Sequence, residues 1–155
     1  MRVVGIDPGL SGAVALVNAD DIRVVDMPVG PHGVDPVGLA ELLDSWRPNM
    51  VFIEDNRAQG GNGSLANWSM GHSMGSIIAT VLIGEYPMER FKPQRWQQLV
   101  GLGNVKASER KEASRQRARE MFPSIRDELQ RKKDHNRAEA LLIAAAGRRM
   151  YGATA

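Results

Sequence analysis

Residues 2–14 read RVVGIDPGLSGAV. Val3, Val4 and Ile6 are apolar and mostly β-branched, the composition of a short, buried strand. Asp7 closes that strand. Pro8-Gly9 makes a turn, and Gly12 opens a second run, Ala13 to Val17, that returns as an antiparallel strand. A carboxylate beside a glycine-rich turn is placed to meet a phosphate or a metal ion, because small residues let a ligand approach the backbone. The plainer use of Asp7 is to cap the turn.

Working outward, Ile22 to Val29 (IRVVDMPV) reads as a third strand, broken by Gly30-Pro31-His32-Gly33. Asp35 is placed to cap a helix with Pro36 at its first position, and Val37, Leu39, Leu42, Leu43 and Trp46 recur at helical spacing before Pro48. Met50 to Ile53 is a short buried strand with Glu54-Asp55 at its end. Three strands, a helix and a strand form the opening order of the RNase H-like α/β fold, a five-stranded mixed sheet flanked by helices. In that order the first three strands are antiparallel, and the fourth returns parallel beside the first through a helical crossover. Asp7 and Glu54 then end neighbouring strands, within reach of one ion.

Residues 58–63 (AQGGNG) read as a loop, followed by a helix over 67–82. Met70, Met74, Ile77, Ile78 and Val81 lie on one side of it, a pattern for core packing. Its small residues, Gly71, Ser73, Gly75 and Ser76, also suit a dimer seam. A fifth strand follows at 88–91. Pro93 then opens a short helix over 94–100, and 101–104 is a loop. A basic helix covers 106–122, 125–129 is a helical turn, and the last helix spans 135–150. Trp68 and Trp96 read as core residues rather than stacking platforms.

The chain of 155 residues is expected to form one domain, 1–155, with a core of ordinary size. It has no cysteine, which removes disulfides and thiolate metal sites and leaves oxygen and imidazole donors. No run of 18 apolar residues is present, and the first strand begins at once, so neither a membrane partner nor a signal peptide is expected and the location reads as cytoplasmic. The net charge of +2 hides an asymmetry. Residues 106–149 hold 13 of the 20 Lys and Arg against seven acids, so the C-terminal third is basic and the rest acidic. That split suits a polyanion-binding face beside an acidic pocket.

The last helix begins DHNRAEALLIA at Asp134. Asp134 is a plausible N-cap. Glu139 lies on the side that faces the sheet, with Leu142 and Ala146, where an acid is costly without a cation. Arg137 or Lys92 would be the alternative partners.

With these segments assembled, the chain resembles the RuvC-type Holliday-junction resolvases, in particular their bacteriophage branch. The resemblance is carried by GIDPGLSGA at 5–13, VFIED at 51–55, ANWSMGHSMGSIIA at 66–79, FKPQRWQQLVG at 91–101, KEASRQRAREMFP at 111–123 and DHNRAEALLIA at 134–144. It implies a homodimeric endonuclease that nicks four-way or otherwise branched DNA, using Mg2+ with Mn2+ as a substitute. The family's first two metal carboxylates fall on Asp7 and Glu54. Its remaining ligands open the last helix, usually two acids, or a histidine and an acid, three or four residues apart. Here Asp134 and Glu139 are five apart, about 140° around a helix. Either Asp134 bends inward from the cap, or His135, on the face of Glu139, takes its place. The hardness of Mg2+ favours Asp134 and leaves His135 to position or deprotonate the attacking water. Two ions roughly 4 Å apart would activate the water and stabilise the leaving oxygen. DNA contacts are expected from Lys92, Arg95, Lys106, Arg110, Lys111, Arg115 and Arg119, and from Gln59 and Asn62 in the loop.

Two other readings compete. A small actin-like phosphotransferase would use the same Asp-x-Gly turn for phosphate, but such proteins are usually built from two domains and no second phosphate loop is present. A catalytically inactive module that binds branched DNA is suggested by Asn136 and the spacing between Asp134 and Glu139.

Overall fold

The computed structural model describes residues 1–56 and 63–152. β1 (Val3–Asp7) is the middle strand of a five-stranded sheet. β2 (Ala13–Val17) pairs antiparallel with it, and β3 (Ile22–Asp26) pairs antiparallel with β2. A separate small ribbon joins β4 (Val29–Gly30) to β5 (Gly33–Val34). α1 (Pro36–Trp46) then crosses over to β6 (Met50–Glu54), which runs parallel to β1. α2 (Ser64–Ile83) leads to β7 (Met88–Phe91), parallel to β6. The chain continues through α3 (Pro93–Leu99), α4 (Arg110–Met121) and two 3-10 segments, Pro123–Leu129 and Lys132–Asp134, into α5 (His135–Gly152). The strand order β3-β2-β1-β6-β7, mixed and covered by helices, is the RNase H-like arrangement.

β1, β2 and β6 are buried at every position, so the two-residue period sorts their side chains between two cores rather than between core and solvent. Val4, Ile6, Val14, Leu16, Val51 and Ile53 pack with residues of α1 and α2. Val3, Ala13, Ala15, Met50 and Phe52 pack with residues of α3, α4 and α5. Asp7 falls on the face of Val3, and Glu54 on the face of Phe52, so both carboxylates turn toward α5. The register Gly5 to Phe52 and Ile6 to Ile53, carried one step further, sets Asp7 beside Glu54. α5 lies so close on β1 that a Cβ at Gly5 would stand 2.2 Å from the Ala140 carbonyl and 2.5 Å from the Ala144 nitrogen. Only glycine allows this approach, and it sits one residue from Glu139.

Asp35 caps α1, accepting from the Val37 N–H at 3.0 Å, and Arg47 ends the helix with φ 47°. Several boundaries differ from expectation. The third strand stops at Asp26, because the Met27 N–H bonds the Gly12 carbonyl and Pro28 has no N–H to continue a ladder. Val29 pairs in the small ribbon instead. α2 starts at Ser64 and buries Ser73, Met74, Ile77, Thr80 and Val81. Its other side exposes Leu65, Trp68, Leu82 and Ile83. Trp68 is therefore not a core residue: it is 66% exposed and stacks on His72, with ring centroids 5.2 Å apart. The basic helix starts at Arg110, since residues 106–109 form a tight turn closed by the Glu109 N–H to Lys106 carbonyl bond. Among the described residues no helix is long and apolar enough to cross a membrane.

Candidate active site

Three carboxylates from three elements face one another at the C-terminal ends of β1 and β6. Asp7 and Glu54 are buried, and Glu139, in the first turns of α5, is mostly buried. Burial raises the proton affinity of Asp7, and the charges of Glu139 and Glu54 raise it further, against a smaller opposing pull from Lys111. Burial and the Glu54 charge push Glu139 up to about 7, opposed by Lys111 and Arg110. Among the described residues none of the three acids has an ion-pair partner. The partners considered for Glu139 are engaged elsewhere or exposed. Arg137 forks onto Asp26 at 2.6 and 2.9 Å, and Lys92 is exposed at the start of α3.

Glu54 is held from both sides. The indole N–H of Trp96 donates to Oε1 at 2.9 Å, and the Asn56 amide donates to Oε2 at 2.8 Å. Burial raises its proton affinity, while these two bonds oppose the rise. On α4, Ser114 is fully buried with its hydroxyl toward Glu139, and this contact slightly opposes the rise in the acid's proton affinity.

The donor set is all oxygen, buried, and repelled by its own charge, which fits a hard divalent cation. The arrangement is open rather than closed: among the described residues no three His, Cys, Asp or Glu side chains stand in metal-holding geometry.

Asp134 is not brought to these acids. The helical turn begins earlier than expected, as a 3-10 segment, so Asp134 is its third residue and not the cap of α5. Its carboxylate reaches back to the Arg131 N–H at 2.7 Å and to the Arg131 guanidinium at 2.8 Å. Burial raises its proton affinity, but the Arg131 bonds outweigh that and hold it below the usual carboxylate range. His135 places Nδ1 3.0 Å from the Lys132 carbonyl. It lines a basic cavity of about 600 Å³ with Ser108, Lys111, Glu112, Arg115 and Lys133. Asn136 donates to the Ser11 carbonyl at 2.5 Å, tying α5 to the glycine-rich turn after Asp7.

The candidate DNA contacts fall into groups. Lys92, Lys106 and Lys111 are exposed. Arg95 pairs with Glu89 at 3.1 Å and lies over the Phe91 ring. Arg110 is half-buried and donates to the Val105 carbonyl. Arg115 has its guanidinium engaged inside the chain, on Glu112 and on the carbonyls of Leu129 and Gln130. Arg119 borders a second recess of about 310 Å³ with Arg115 and Arg126. Gln59 and Asn62 lie outside the described residues. The reading of Trp96 as a core side chain described its burial and missed its bond to Glu54. The available signal was chemical: a buried indole N–H needs an acceptor.

No family model matches the chain. It is 35% identical over 85 residues to the chloroplastic Holliday junction resolvase MOC1 of Chlamydomonas reinhardtii, a match covering 55% of this chain and 9% of that protein. The chain thus spans a small part of that relative's length. Among solved structures it is similar to Thermus thermophilus RuvC, with a TM-score of 0.66 and 20% identity over 97% of both chains. The T. thermophilus RuvC complex with a Holliday junction substrate gives the same TM-score. A fowlpox virus resolvase bound to Holliday junction DNA gives 0.58 at 15% identity, covering 97% of this chain and 99% of the other. With the sheet order and the placement of the acids, these likenesses show that the chain carries the RuvC-type resolvase fold, a form of the RNase H-like fold.

Proposed function

We propose that this chain is a metal-dependent, structure-specific endonuclease that nicks four-way or otherwise branched DNA. The observation that carries the reading is the convergence of Asp7, Glu54 and Glu139, three carboxylates without ion-pair partners among the described residues, beside an exposed Lys111 that reaches both Asp7 and Glu139 electrostatically. Divalent ions held there, two Mg2+ or Mn2+ in the full site, would polarise the scissile phosphate and activate water. The chain's own part is to hold the acids in place: Trp96 and Asn56 orient Glu54, and Gly5 lets α5 carry Glu139 over β1. Lys111 and the basic cavity beside it would take the DNA backbone, with exposed Lys92 and Lys106 extending the track. His135, in that cavity and bonded to a carbonyl, suits a phosphate or water contact. Asp134, bound by Arg131, suits a structural role. The DNA substrates named for the RuvC and fowlpox structures support the substrate class. The bacteriophage branch rests on sequence resemblance.

The decisive assay uses a labelled, immobile four-way junction and a linear duplex of matching sequence, with Mg2+, Mn2+, Ca2+ or EDTA. Nicks confined to the junction, dependent on Mg2+ or Mn2+ and lost in Asp7→Asn with binding retained, are the expected result. Cleavage surviving in Asp7→Asn would sink the assignment. One observation favours the second reading, an inactive junction-binding module: Asp134 is held by Arg131 rather than joining the other acids. Tight binding without nicking under every ion would select it.

A further inference from the structure

We propose that Trp96 is a positioning residue for this reaction, fixing Glu54 through its indole N–H and making metal occupancy visible in the indole itself. The inference rests on the endonuclease reading above.

Trp96 is fully buried among residues of the sheet, α4 and α5, so it makes no DNA contact. Packing alone calls for no N–H donor at this position. The indole instead aims its one donor at Glu54, 42 residues earlier, at 2.9 Å. The geometry follows from the chain. β7 ends at Phe91 beside Glu54, and Pro93 starts α3 at once, so Trp96 in the first turn and a half lies under the end of β6. With Asn56 on Oε2, both carboxylate oxygens are occupied from the protein side. The two bonds restrain the carboxylate, and each oxygen keeps lone-pair capacity for a cation beside Asp7 and Glu139. Ordering a ligand before the ion arrives removes an entropic cost from binding, and loss of such a supporting contact typically lowers metal affinity or activity about 10- to 100-fold.

The test uses the full chain. Calorimetry with Mg2+ alone, and junction cleavage, are compared for wild type and Trp96→Phe. The expected result is a Mg2+ affinity reduced about 10-fold or more and a lower kcat, with KM for the junction unchanged and the rate recovered at high Mg2+. Because Trp96→Phe alters a core side chain, a second measurement uses the unsubstituted protein. Its three tryptophans give three indole N–H signals, assigned by substituting Trp46 and Trp68. Mg2+ should shift the Trp96 signal and Mn2+ should broaden it, while the signal of Trp46, in the opposite core, stays in place. Glu54→Gln should abolish the Mg2+ response. If Mg2+ binds but the Trp96 signal is silent and Trp96→Phe binds as wild type does, the positioning role is wrong and the nuclease reading stands. If wild type binds neither Mg2+ nor Mn2+, both fail.

Discussion

Glu139 and Asp134 are five residues apart and both largely buried, yet their proton affinities move in opposite directions because their neighbours differ. Arg131 supplies Asp134 with a cation, whereas Glu139 meets Glu54. The sign for stability follows. Below pH 4.5 Glu139 is protonated in both folded and unfolded chains. Between 4.5 and about 7 the unfolded chain releases this proton and the folded chain keeps it, so stability falls as pH rises and the loss is complete above 7. For this group alone the loss is on the order of 3 kcal/mol. Asp7, also raised, adds to the trend. Asp134 and Asp26, both lowered, lose their contribution only as pH drops below the usual carboxylate range. Calorimetric melting in EDTA should therefore show a fall from pH 5 to pH 8. Glu139→Gln should flatten it and melt higher at pH 8, and Mg2+ should recover much of the loss in wild type. A flat wild-type profile would contradict the electrostatic account.

At the scale of elements, the site depends on how closely α5 lies on β1 and on how α4 is held. Gly5→Ala drives a methyl into the Ala140 carbonyl, so α5 must lift or β1 must bend. Overpacking of this kind costs about 1–3 kcal/mol, a drop of roughly 2–12 °C in melting temperature for a chain of this size. Because the same contact carries Glu139, Mg2+ binding should weaken along with stability, and calorimetry on the folded variant checks this. Unchanged melting would mean that the helix has slack. In α4, Arg115 binds the ends of the following 3-10 segment through the Leu129 and Gln130 carbonyls. Its place among the expected DNA contacts is thus a matter of scaffold as well as charge.

For the whole molecule, the exposed side of α2 is the unexplained surface. Leu65, Trp68, Leu82 and Ile83 are more than half exposed along one helix, and single apolar side chains in solvent are common but a run along one element is not. A second copy of the chain is the occupant expected from the resemblance to homodimeric resolvases, in which the same surface of each copy would meet its equivalent. Sedimentation of the wild type as a dimer, with Leu65→Glu/Trp68→Glu sedimenting as a monomer of unchanged melting temperature, is the expected outcome. A monomeric wild type at micromolar concentration would remove this reading.

The sequence by itself determined the order of the five sheet strands and the main helices, without showing the β4–β5 ribbon, and it made the pairing of β1 with β6 the expectation that the crossover length fits. These follow from local periods, turn residues and crossover length, all of which are short-range. The adjacency of Asp7 and Glu54 was legible for the same reason, since register and the two-residue period fix both position and face. Tertiary structure alone decided the rest. Whether Asp134 could join Glu139 at the site depended on a 3-10 turn that begins at Lys132 and hands Asp134 to Arg131. Whether Trp96 merely filled space depended on the approach of α3 to the end of β6. Whether Trp68 was inside depended on which side of α2 met the sheet. A carboxylate or an indole takes the partner that packing brings nearest, and that choice is made between residues tens of positions apart, beyond the reach of any local pattern.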